Sequence, residues 1–136
     1  MTAIATRPRS ETTDSLLRLA LRADATLSGL AGLAIAAAAG PLSSLTGLTP
    51  AQEYGIGAAF VLYGLVVFSL AALPSLRGVG IGVMIANAVG TIGAVIIAVT
   101  DWVSLTEAGV IVILAMGVYT AFFALLQYLG VRRLRA

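Results

Sequence analysis

Of the six acids in this chain, Asp24 alone lies inside a long apolar stretch. A charged residue near the centre of a bilayer costs about 2.5–3.5 kcal/mol on insertion scales, so it needs a partner or a wet cavity. Helical spacing puts Asp24 on one row with Ser28, Gly32, Ala36 and Gly40, facing whatever that row packs against rather than lipid. At about 1.5 Å per residue, Asp24 lies roughly 12 Å in from a helix start near Leu16, and Asn87 roughly 13 Å in from Gly78. Tyr63 and Tyr119 sit near the middles of their own apolar stretches. Asp24, Asn87, Tyr63 and Tyr119 are therefore able to meet as an intramembrane polar cluster, with Ser28 and Thr120 beside it. Two chemistries are open to it. One is a proton- or cation-binding site in which Asp24 titrates. The other is structural: an aspartate near the interface, bonded to Ser28 or paired with Arg77 or Arg132. Asn87 then acts as interhelical glue and the tyrosines as packing aromatics. Boundary acids are more often structural, which favours the second.

Absent residue types close off most other chemistry. The chain has no His and no Cys. Zinc sites, axial haem ligation by His, CxxC redox pairs and Ser–His or Cys–His catalysis are all excluded within it. The expectation is a chain with no catalytic residues, no metal and no cofactor. The run Gly78-Val79-Gly80-Ile81-Gly82 imitates a phosphate-binding loop, but that motif needs a preceding strand and a βαβ unit, and here the glycines open an apolar helix.

The elements that must position these residues follow from composition. Of 136 residues, 60% are hydrophobic and 10% charged, and the mean hydropathy is +1.04. A soluble domain carries about a quarter charged residues, so this chain has too little polar surface to coat a water-facing globule. The composition predicts an all-α integral membrane protein, a four-transmembrane-helix bundle. A spanning helix needs about 20 apolar residues, and the spans are expected at 15–40, 54–73, 79–100 and 108–130, between an N-terminal tail (1–14) and a basic tail (132–136). The first span is interrupted by Arg18, Arg22 and Asp24. It reads either as one long helix from Ser15 with both arginines snorkelling to the headgroups, or as an interfacial stretch leading into a shorter span. Asp14 has Arg18 at i+4, a spacing that allows an ion pair. Gly40-Pro41 is expected to end the helix. A cleaved signal peptide is the rival for this segment, but its leader carries acids and its core is mostly Ala and Gly, so it is expected to remain.

All eight basic residues are arginines, and all fall in the N-terminal segment, the loop around Arg77 or the C-terminal tail. The loops Pro41–Glu53 and Asp101–Glu107 have none, and their acids read as solvated loop and cap residues. The positive-inside rule then puts both termini in the cytoplasm. Arginine without lysine in an Ala/Gly-rich chain suggests a GC-rich bacterial genome, hence a bacterial inner membrane. No basic face forms, so nucleic acid is not an expected partner.

Small residues recur every fourth position: Ser28, Gly32 and Ala36 in the first span, and Gly82, Ala86, Gly90 and Ala94 in the third. Such rows let helices approach closely in lipid. They predict helix packing within the chain, in a homo-oligomer or with another membrane protein. The two halves also share a faint pattern: Leu48-Thr49 leads to Tyr63, and Leu105-Thr106 leads to Tyr119, the mark of two repeated helical hairpins.

The stretch LLRLALRADATLSGLAGLAIAAAAGPL from Leu16, followed by three spans with Asn87 in the third, resembles small four-helix bacterial membrane proteins, DoxX-like in organisation. That resemblance implies the fold and little about activity. Small multidrug-resistance transporters are similar in length and span number, yet they place a glutamate well within the first span and aromatics in the third. Here the acid is Asp24, nearer the inner edge, and the third span has no aromatic before Trp102. The leading expectation is a non-enzymatic accessory or scaffold subunit associating through its small-residue faces. The alternative is a small transporter or ligand-binding protein for a hydrophobic or cationic compound, using Asp24.

Overall fold

A computed structural model describes residues 13–134. Among the described residues five helices follow one another, α1 (Ser15–Ala37), α2 (Ala39–Thr46), α3 (Pro50–Leu70), α4 (Arg77–Val99) and α5 (Glu107–Arg132), with no strand. The four long ones have 21 to 26 residues and are apolar enough to cross a membrane. At about 1.5 Å per residue each reaches or exceeds the roughly 30 Å of hydrocarbon. Their outer faces are greasy: Val118 is 70% exposed and Leu65 64%. Polar side chains are inside, Asp24 and Gln127 at 0% and Asn87 at 4%. This inversion of a soluble protein's pattern suits a chain surrounded by lipid.

The first span does not run to Gly40. It stops at Ala37, and a short helix, α2, restarts at Ala39 and carries both Gly40 and Pro41. Proline has no N–H and its ring clashes with the carbonyl four residues back. For Pro41 that residue is Ala37, so the break falls one turn before the proline. Pro41 is then tolerated in the first turn of α2, where N–H groups have no intrahelical acceptor. Gly47, at φ +86°, ends α2 in the left-handed region, and a Cβ there would lie 2.8 Å from the Ser104 carbonyl oxygen. The stretch expected to be loop up to Glu53 is thus largely helical.

Both α3 and α5 open on a threonine cap. The Thr49 hydroxyl accepts from the Gln52 N–H (3.1 Å) while the Gln52 side chain accepts from the Thr49 N–H (2.9 Å), a full capping box followed by Pro50. The Thr106 hydroxyl accepts from the Gly109 N–H (3.0 Å) and donates to the Leu45 carbonyl (2.5 Å), while the Thr106 N–H donates to the Thr46 carbonyl (2.9 Å). The cap of α5 therefore also closes the open end of α2. Glu53, expected in solvent, is only 4% exposed and accepts from the Thr46 hydroxyl at 2.6 Å. It is buried because α2 folds over the start of α3.

At the opposite end, Leu17 is fully buried against Gly80 of α4 and Gly130 of α5. Arg18 turns onto the end of the bundle. Its guanidinium bonds the Asp14 carboxylate (2.9 Å) and donates to the carbonyls of Ala71 (2.6 Å) and Leu73 (3.1 Å), just past α3. A cation there satisfies the carbonyls that end the helix and complements its negative pole, whereas Arg22 is exposed. Arg18→Ala is expected to lower stability by about 1–2 kcal/mol, and Arg18→Lys to recover part of it. Reversible unfolding in mixed micelles checks this; an unchanged midpoint for Arg18→Ala would show that the guanidinium only decorates the helix end.

Packing is uneven. The closest pairings are α1 with α3 and α4 with α5; α1 also lies along α5, but α3 and α4 make almost no direct contact. The bundle is two hairpins hinged on α1 and α5 and parted between α3 and α4.

Candidate functional site

Asp24 lies at the junction of the two hairpins, two turns beyond Leu17. Three groups donate to its Oδ2: the Tyr63 hydroxyl (2.6 Å), the Asn87 amide (2.9 Å) and the Gln127 amide (2.9 Å). The Ser28 and Tyr119 hydroxyls each reach Oδ1 at 3.1 Å. Tyr119 also lies 3.1 Å from the Asp24 carbonyl oxygen and 3.0 Å from the Ser28 hydroxyl. All four spanning helices thus send at least one donor to a single carboxylate. Every facing group is able to donate, which suits a carboxylate acting only as acceptor.

The structure brings Asp24, Asn87, Tyr63 and Tyr119 together, with Ser28 alongside. It does not place Arg77 or Arg132 on Asp24: among the described residues the carboxylate has no cationic partner. Of the structural alternative, the bond to Ser28 is present and the pairing with Arg77 or Arg132 is not, while Asn87 of α4 bonds side chains of α1, α3 and α5 as interhelical glue would. The tyrosines are hydrogen-bonded through their hydroxyls as well as packed, Tyr119 lying tilted on Phe123 with ring centroids 4.9 Å apart. Thr120 stands one step aside, sharing 2.7 Å with Thr91 and donating to the Gly117 carbonyl at 3.0 Å.

Gln127 is the member that sequence reasoning passed over. It sits two helical turns from Tyr119, on the same face of α5, and that spacing was the available signal. Its place near the end of an expected span at 130 disguised it. The helix runs on to Arg132, which leaves Gln127 fully buried.

The small-residue rows are spent mainly inside the chain. Gly32 and Gly57 bring α1 and α3 into backbone contact: a Cβ on Gly32 would lie 2.5 Å from the Gly57 carbonyl oxygen. Ala36 packs on Gly57, Ala94 on Gly117, and Gly90 faces Thr120. Gly82 has nothing within 4 Å of such a Cβ, and Ala86 lines a cavity.

That cavity, about 650 Å³, lies along the seam where α3 and α4 part and is partly open. Its polar end is Ser28, Tyr63, Asn87 and Tyr119, the same side chains that hold Asp24. Away from that end its walls are apolar, formed by residues such as Ile35, Phe60, Val112 and Met116. The size falls within the range of small-molecule sites, about 300–1,000 Å³, and the design matches them too: an apolar body with a few fixed polar groups at one end.

Fold and site together define a multi-pass α-helical membrane protein with a hydrogen-bonded carboxylate at its core and an apolar cavity above it. Set against protein-family models, curated proteins and solved structures, the chain matches none.

Proposed function

We propose that this is a non-enzymatic membrane protein that binds, and in a transport cycle would pass on, a hydrophobic small molecule reached from the bilayer. The observation that carries this reading is the cavity: apolar along its walls, ended by polar groups fixed on Asp24, and lined by residues of both hairpins. A carboxylate in lipid is costly, and a cluster serving packing alone has no need of a cavity against it. The arginine distribution supports a cytoplasmic location for both termini in a bacterial inner membrane, and the DoxX-like organisation remains part of the same proposal.

Ala86 projects into the cavity without being buried, so Ala86→Trp fills the space while sparing the core. Protein purified from its native membrane is expected to release an apolar small molecule on solvent extraction, with at least about tenfold lower occupancy in Ala86→Trp, equivalent to about 1.4 kcal/mol. Identical extracts holding only bulk phospholipid would refute the reading.

A second reading, an accessory or scaffold subunit, is favoured by one observation. Gly78 and Gly82 on α4 meet nothing within 4 Å in their own chain, and one turn apart they form a strip on which a helix of a second copy or of another membrane protein could pack. A defined oligomer whose assembly is lost in Gly82→Leu would support it.

A further inference from the structure

We infer that the cavity is selective for a neutral lipophile ending in a hydroxyl, which donates a hydrogen bond to the side-chain oxygen of Asn87. The inference rests on the ligand-binding reading above and names the ligand class. It follows from tracing the donors outward from Asp24.

The amides of Asn87 and Gln127 both turn their nitrogens toward the Asp24 carboxyl oxygen Oδ2, at 2.9 Å each. The Gln127 oxygen is then directed to Asn87 and accepts the second hydrogen of the Asn87 nitrogen, also at 2.9 Å. The Tyr63 hydroxyl, which donates to Asp24, lies 3.2 Å from that same nitrogen as a weaker third contact. Both hydrogens of Asn87 are thus committed, and its Oδ1 takes part in no hydrogen bond. No buried side-chain oxygen or nitrogen among the described residues is left without a partner. The Asn87 oxygen is therefore not fully enclosed by the protein, and Asn87 is a lining residue of the cavity.

The other polar groups at that end are occupied. The Ser28 and Tyr119 hydroxyls are shared among Asp24 and each other, and Thr120 is held by Thr91 and the Gly117 carbonyl. Among the side chains lining that end, the Asn87 oxygen is the acceptor that no group of the protein bonds, and it stands at the end of an apolar sleeve.

Charge narrows the class further. No basic residue lines the cavity, so a phosphate or carboxylate headgroup would lose its hydration with no counter-charge in return. An organic cation is the natural competitor, since Asp24 carries no ionic partner. Asp24, however, is fully buried and absent from the cavity lining, and five side chains occupy its oxygens. A carboxylate has about four lone-pair sites, so a cation could reach Asp24 only by displacing the donors that hold the helices together. An alcohol or phenol satisfies Asn87 and leaves that network intact.

The test uses a matched set of probes on the wild-type protein in phosphatidylcholine nanodiscs: pyrenebutanol, its methyl ether, its trimethylammonium analogue and pyrenebutyric acid. Affinities are expressed as mole fractions in the lipid, so that differences in partitioning cancel. The alcohol is expected to bind about tenfold more tightly than the ether, which keeps the bulk but cannot donate. The acid and the ammonium should be weaker still, and all binding should fall in Ala86→Trp. Equal affinity for alcohol and ether would overturn the hydroxyl assignment while leaving a ligand cavity in place. Tightest binding of the ammonium would overturn it in favour of Asp24 as a counter-charge. Absence of binding by any probe would remove the cavity reading and this inference together.

Discussion

Asp24→Leu is expected to unfold about 3 kcal/mol more readily than wild type in mixed-micelle denaturation, and Asp24→Asn about 2 kcal/mol more readily. Two effects oppose each other. Removing the charge relieves a burial cost of about 2.5–3.5 kcal/mol on insertion scales. It also takes the shared carboxylate acceptor from five donors on four helices, Ser28, Tyr63, Asn87, Tyr119 and Gln127, of which Tyr119 keeps the backbone carbonyl of residue 24. Hydrogen bonds between membrane helices average about 0.6 kcal/mol and reach about 1.7 when measured singly. Leaving a buried group unpaired costs about 1–3 kcal/mol, and here several are orphaned together. Asn87 and Gln127 retain each other at 2.9 Å, which limits the loss, but the tyrosine hydroxyls and Ser28 have lost their common acceptor. The orphaned donors outweigh the relieved charge. Asparagine keeps the shape and one acceptor but points an N–H at groups that are themselves donors, hence the intermediate penalty.

The same reasoning separates a structural cluster from one retained for use. Replacing a whole buried polar set by apolar groups of similar shape is often neutral or stabilising, whereas removing one member is not. Asp24→Leu combined with Tyr63→Phe, Tyr119→Phe, Asn87→Leu and Gln127→Leu should therefore recover most of the stability lost by Asp24→Leu alone. A recovered fold that no longer discriminates alcohol from ether would assign the cluster to ligand recognition rather than to holding the bundle together.

The spans were legible because lipid imposes one rule, some 20 uncharged residues in a row, and the chain obeys it three times without interruption. Asp24, Asn87, Tyr63 and Tyr119 were legible as a group because each is a polar group at comparable depth in an apolar helix, with few other partners available. The faint likeness of the two halves also has physical content: Thr49 and Thr106 cap the helices that carry Tyr63 and Tyr119, and both tyrosines reach the same carboxylate. What escaped depended on tertiary contact. Glu53 is buried only because α2 folds back over it. Arg18 finds its acceptors beyond the end of α3, more than fifty residues away in the chain. The cavity exists because α3 and α4 stay apart, and no local pattern encodes that separation.

Gly32→Leu is expected to cost more than about 3 kcal/mol, and Gly32→Ala about 1–3 kcal/mol, through overpacking at the crossing of α1 and α3. A Cβ on Gly32 would lie 2.5 Å from the Gly57 carbonyl oxygen, and one on Gly57 would lie 2.7 Å from the Gly32 carbonyl oxygen. Both obstacles are backbone, so no rotamer change relieves them and the helices must separate. Two turns further along the same seam, a Cβ on Gly64 would meet the Ala25 carbonyl oxygen at 2.6 Å. Gly40 and Gly55 supply the control: a Cβ at either meets nothing within 4 Å, so alanine there should be neutral or slightly stabilising through its better helix propensity. The damage should also reach the polar site, because α1 carries Asp24 and α3 carries Tyr63, joined at 2.6 Å. Parting these helices lengthens that bond first and loosens the shell that aims Asn87 at the cavity. Gly32→Ala should therefore weaken alcohol binding more than ether binding, although Gly32 itself does not line the cavity. Equal weakening of the two probes would mean that the crossing only shapes the cavity and does not orient its polar end.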